Sequence, residues 1–219
     1  MDIDSEIVEL VRAYVACESN SLKRLRCKVL KTVGNQSDKR MCLFDGLKKL
    51  NLIEECSVVT FEVLDLIIDA WEGIHYSILH EKESKPIVNS YPAYELVDTG
   101  NSAPTEKWIS RWNAAGNSVN WKGAIPFRHG KLCAMKNSPI WSAIGFGAGG
   151  YHDSLNVAYP PFVVGEHVTW FDLCVEECER IGLVSKDWYK NQPRTKAETD
   201  IARAIKRFGG IEKLLNDFQ

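Results

Sequence analysis

Between residues 108 and 170 the chain crowds Trp, Gly and Pro together, and that mixture constrains its fold more than any other feature. Five of the seven Trp lie there (Trp108, Trp112, Trp121, Trp141 and Trp170), with Gly145-Phe146-Gly147-Ala148-Gly149-Gly150 and Tyr159-Pro160-Pro161-Phe162. Large rings bring much apolar area, Gly admits left-handed backbone, and Pro fixes φ. The combination predicts irregular loops held in set shapes by aromatic anchors. Such a texture suits a binding or assembly surface better than a simple metabolic enzyme.

The chain ahead of this stretch has a different texture. Ile7, Leu10, Val11, Tyr14 and Val15 keep the 3,4 spacing of an amphipathic helix. Ser21 is a candidate cap for a second helix, with Leu22, Leu25, Val29 and Leu30 inward and a stop near Gly34. Asp38 is a candidate start for a third, carrying Met41, Leu43, Phe44, Leu47 and Leu50. The longest helix is expected from about Val58 to Leu79, apolar over a wide face from Phe61 through Trp71 to Ile78. A face that wide needs several neighbours, so residues 1–84 read as a helical bundle.

Glu81 to Ser90, with Pro86, reads as a linker, and 85–219 as a loop-rich second part. Ile87-Val88 and Tyr94–Val97 are candidate strands. A short helix should carry Trp108, Ile109, Trp112 and Ala115 and stop at Gly116. Phe171–Gly182 reads as a helix with a Gly stop, and Thr195–Phe218 as a final helix that Gly209-Gly210 could break. The fold class expected is α+β: an N-terminal helical bundle, then a Trp-anchored mixed domain with C-terminal helices.

Composition narrows function by exclusion. A hydrophobic share of 45%, a charged share of 26% and a formal charge of −2 describe an ordinary globular chain without global attraction to nucleic acid or acidic membrane. No apolar run suits a bilayer. The opening Met1–Glu6 is acidic where a secretory signal would be basic and then apolar, so a cytoplasmic setting is expected. Seven Cys, an odd number without a framework, read as reduced core residues. Cys174 and Cys178 would share a helix face, but two further zinc ligands are lacking, so neither metal nor cofactor is expected.

Five constellations carry functional alternatives. The Gly145–Gly150 run lacks the Lys and Ser/Thr of a P-loop, since Tyr151-His152-Asp153 follow it, and it reads as tight turns. His152 and Asp153, with His129 and Cys133 upstream, are the raw material of a hydrolase or nuclease, though no nucleophile motif surrounds Cys133. Glu166 and His167 form no zinc-protease helix motif. Arg24, Lys28 and Lys31 fall on one side of the second helix, either as a solvated face or as a dock for nucleic acid. In Tyr159-Pro160-Pro161-Phe162, two prolines hold two rings on an extended backbone. That segment either plugs its own domain over the Trp cluster or fills a groove on a partner.

The runs Trp112-Asn113-Ala114-Ala115-Gly116, Lys136-Asn137-Ser138-Pro139-Ile140-Trp141 and Tyr159-Pro160-Pro161-Phe162 resemble tailed-phage and prophage head proteins. The group is the minor head or head-morphogenesis proteins similar to the Mu F protein, and the likeness covers about residues 90–185. Where those proteins follow Pro-Pro with a Cys-Arg-Cys-like ending, this chain has Val163-Val164-Gly165-Glu166-His167. For their His between the Trp motifs it offers only His129. The resemblance implies a virion or head-assembly protein contacting portal or capsid, in the bacterial cytoplasm or on the particle, and it brings no catalytic residues. Trp112, Trp141, Tyr159, Pro160, Pro161 and Phe162 are accordingly the candidate partner-binding residues.

Overall fold

Four helices lead, and each begins where a short polar side chain accepts a hydrogen bond from a first-turn amide. Asp4 caps α1 (Ser5–Val15), Ser19 caps α2 (Asn20–Lys31), and Thr60 caps α4 (Phe61–Ser84). Asn35 caps α3 (Gln36–Lys49) and forms a capping box with Asp38. The starts expected at Ser21 and Asp38 therefore move upstream. Asp38 is the reciprocal partner of the true cap, and Ser19 already satisfies the amide of Leu22. The computed structural model describes residues 4–53, 60–101 and 103–193 and positions 196, 199, 200 and 203. The expected start at Val58, and all of the expected final helix but those four positions, lie outside the described residues.

The helices bury one stripe each against a shared core in which Val11, Val29, Leu43, Leu47, Ile67 and Ile68 are fully enclosed. Three residues expected in it point outward: Met41, Phe61 and Ile78 are exposed, and the first two line a surface groove with Phe44. α4 runs on past Leu79 to Ser84, and a 3₁₀ turn, Lys85–Ile87, takes the place of the linker and of the Ile87-Val88 strand. Pro86 sits in the first turn, where its missing N–H costs nothing.

Among the described residues the sheet has three strands. β1 (Ala93–Asp98) lies between β2 (Leu132–Met135) and β3 (Val168–Leu173), antiparallel to both. Leu96 stands opposite Leu132 and Trp170, and Tyr94 opposite Ala134 and Asp172. That face packs on α5 (Glu106–Ser118) and α6 (Ile140–Gly145) around Trp108, Trp112 and Trp141. On the other face Ala93, Cys133 and Leu173 are covered by Cys178 of α7 (Val175–Arg180) and by Ile181. The helix expected over Phe171–Gly182 is thus shortened, because Phe171 to Leu173 pair with β1 instead. α5 also continues two residues past Gly116, whose bare Cα receives the Trp121 ring.

The two halves pack on each other. Leu155 and Val164 join the helical core, and Pro161 lies against Gly73 of α4. The Arg12 side chain donates to the Ser154 carbonyl at 2.8 Å, and His80 lies 3.2 Å from the Asp172 carboxylate.

Candidate functional site

The six candidate partner-binding residues are brought together, but inward. Trp112 is fully enclosed and its indole N–H donates to the Ile125 carbonyl at 2.8 Å; that of Trp141 donates to Met135 at 2.9 Å. Trp141 stacks on Phe162 at 6.3 Å and meets Trp170 edge-on at 5.4 Å, while Trp170 lies flat on Tyr94 at 4.5 Å. Phe162 has no accessible surface, and Pro160 and Pro161 are buried. Only Tyr159 is part-exposed, and its hydroxyl donates to Glu81 at 3.0 Å. Of the two roles open to this segment, the plug describes its place in the fold. The sheet, α5 and α6 leave an apolar hollow that Phe162 fills, at a gain of about 3 kcal/mol for a buried ring. Reaching a partner with it would mean opening the core.

His152 and Asp153 lie on a cleft of about 790 Å³, walled by the start of α4, by Lys107 and Arg111 of α5, and by Tyr151 and Glu166. The groups that converge there are mostly paired with one another. The Arg111 guanidinium, almost wholly buried, donates to both Asp153 oxygens and lies 4.1 Å from the Tyr151 ring centre. Lys107 reaches Glu166 at 2.6 Å and Asp153 at 3.7 Å, and the Trp108 N–H donates to Glu166 at 3.3 Å. Desolvation pushes the Asp153 carboxyl up, but the hydrogen bonds and charge of Arg111, with Lys107, outweigh it and hold the group below the usual range. A carboxylate so stabilised is a poor general base. His152 is exposed, and its backbone carbonyl, rather than its ring, accepts from Arg12.

Among the described residues no nucleophile is assembled here. Ser154 is enclosed and its hydroxyl donates to the Ile144 carbonyl at 3.4 Å. Cys133 lies on the opposite face of the sheet, where burial pushes its thiol up. Among the described residues no group of three His, Cys, Asp or Glu is placed to hold a metal ion. The Gly run turns the chain after α6, with Gly147, Gly149 and Gly150 at positive φ. Arg24, Lys28 and Lys31 stand exposed on α2, opposite its buried stripe of Leu22, Leu25 and Val29, and pair with no described acid.

One surface feature escaped the sequence. A groove of about 530 Å³ runs between α4 and β3, with Asp69, Gly73 and Tyr76 on one wall and Val168, Thr169 and Phe171 on the other. Tyr76 and Phe171 are 59% and 57% exposed. Desolvation there, with the carboxylates of Asp65 and Glu72, raises Asp69 above its usual range against the pull of His167. Strand alternation through Val168-Thr169-Trp170-Phe171 was the available signal, hidden by the helical spacing of the residues that follow.

The fold and site define an α+β protein with an aromatic plug, a self-paired polar cleft and an open groove. No family model, curated protein or solved structure matches the chain. No helix among the described residues is long and apolar enough to cross a membrane.

Proposed function

We propose that this protein is a structural or assembly component of a phage-like particle, a minor head or capsid-associated protein that acts by binding other protein subunits, portal or capsid among them. The particle part of this reading rests on the resemblance of the Trp112–Gly116, Lys136–Trp141 and Tyr159–Phe162 runs. The binding part rests on one observation: the cleft carboxylates of Asp153 and Glu166 are spent in pairs, while an aromatic-walled groove stands open beside a strand edge. Paired polar groups hold a shape, and exposed rings beside a groove give a partner something to bury. The test is co-expression of the full chain with the portal and major capsid proteins encoded in the same genome. The chain is expected to sediment with their assemblies; a chain that stays at the top of the gradient with every combination sinks the reading.

A hydrolase or nuclease is the second reading, favoured by the shared cleft of His152 and Asp153. It requires turnover of an ester or nucleic-acid substrate that His152→Ala abolishes without loss of fold. Nucleic-acid binding by Arg24, Lys28 and Lys31 would instead be marked by a steep loss of affinity with added salt.

A further inference from the structure

We propose that the groove between α4 and β3 receives an extended, lysine- or arginine-bearing segment of a partner protein, which adds to β3 as a fourth strand. This rests on the binding reading above and names what binds.

Among the described residues β3 is an edge strand. The Thr99 amide donates to the His167 carbonyl at 2.8 Å, which sets the alternation of the antiparallel ladder: Thr169 and Phe171 turn their backbone groups to β1. Val168, Trp170 and Asp172 turn theirs outward, where no described residue takes them. Val168 lies on one face of β3 and Thr169 and Phe171 on the other, yet all three line the groove. The groove therefore follows the edge of the strand, where the next strand of a sheet would lie about 4.8 Å away. An unpaired edge of this kind is a template for strand addition.

The charge of the groove selects the occupant. Asp65, Asp69 and Glu72 follow one stripe of α4. Arg40 holds Asp65 at 2.5 Å and Lys39 holds Glu72, but among the described residues Asp69 between them receives only the Gln36 amide at 3.4 Å. Among the described residues no Lys or Arg lines the groove. A cation opposite Asp69 would offset the desolvation that, with the like charge of Asp65 and Glu72, lifts its pKa. Tyr76 and Phe171 offer faces for the stem of a long basic side chain. A second copy of β3 is a poor occupant. From Glu166 to Leu173 it carries no Lys or Arg to set against Asp69.

The probe is a short acetylated peptide alternating lysine and valine, read by backbone amide NMR on the full chain. Its control is the same peptide N-methylated at alternate residues, which keeps charge and apolar area but loses the donors a strand needs. The parent peptide is expected to shift the amides of Val168 and Trp170, to bind about tenfold more weakly to Asp69→Asn, and to lose binding when methylated. Equal binding of the methylated peptide overturns the proposal, as do shifts confined to another face, or a dimer of the chain that Phe171→Ala dissociates. Asp69 and Phe171 are exposed, so both variants should keep the parent's thermal midpoint, which separates lost binding from lost fold. If head proteins capture Asp69→Asn as well as wild type, strand addition fails and the assembly reading stands. If the peptide binds and no head protein does, the assembly reading fails and the groove remains.

Discussion

Arg111 and Asp153 show how a single pair can decide what a cleft is able to do. With the arginine 3% exposed, its charge is held by Asp153 and by the Tyr151 ring, and its Nε has no partner among the described residues. Replacing Asp153 by Asn strands that charge and should cost roughly 3 kcal/mol, the low end for a broken buried pair because Asp153 is part-exposed. The folded pKa of Asp153 is depressed, so its stabilisation is present above the unfolded value of about 3.9 and is lost as pH falls through the lower folded value. Urea unfolding should therefore separate wild type from Asp153→Asn at pH 7 and bring them together in strong acid. A gap that persists there would mean the carboxylate's charge is not what stabilises. Phe162→Ala offers the contrast of pure packing, with a cost of about 3–5 kcal/mol, whereas Tyr159→Phe removes one part-exposed hydrogen bond and should cost about 1 kcal/mol.

At the scale of elements, α5 shows where local preference yields to packing. Gly116 sits within the helix, where Ala would ordinarily be favoured by about 1 kcal/mol. A methyl group there would collide with the indole of Trp121, which closes over the glycine after the helix ends. Gly116→Ala should lower the thermal midpoint, with overpacking costing about 1–3 kcal/mol and exceeding the propensity gain; a raised midpoint would show that Trp121 swings away freely. The same competition explains which elements were legible. The stripes of α1 to α4 repeat on one face over several turns, so their existence could be read, while their caps could not be chosen among Ser19, Ser21, Asn35 and Asp38 by residue type alone. The spacing does not predict β2 and places Phe171–Leu173, the second half of β3, at the start of a helix, because four to six residues of strand carry too few repeats to outweigh the helical spacing beside them.

For the molecule as a whole, the boundary near residue 84 marks a change of texture across which the packing continues. Leu155 and Val164 complete the helical core, Pro161 rests on α4, and Arg12 holds the backbone of the loop that carries His152 and Ser154. Cores joined in this way should melt together. Far-ultraviolet circular dichroism and Trp fluorescence are expected to give coincident urea transitions, and two separated midpoints would show that the halves unfold independently. The broad class, the amphipathic stripes and the aromatic anchoring of the second half are legible in the residues alone, because they follow from composition and from periodicity along a continuous run. That Tyr159–Phe162 turns inward, that Asp153 is consumed by Arg111, and that β3 leaves an edge beside Asp69 came from the folded chain. Each of these depends on which surfaces meet across a distance in the chain, and burial, ion pairing and strand pairing are properties of such meetings rather than of the residues alone.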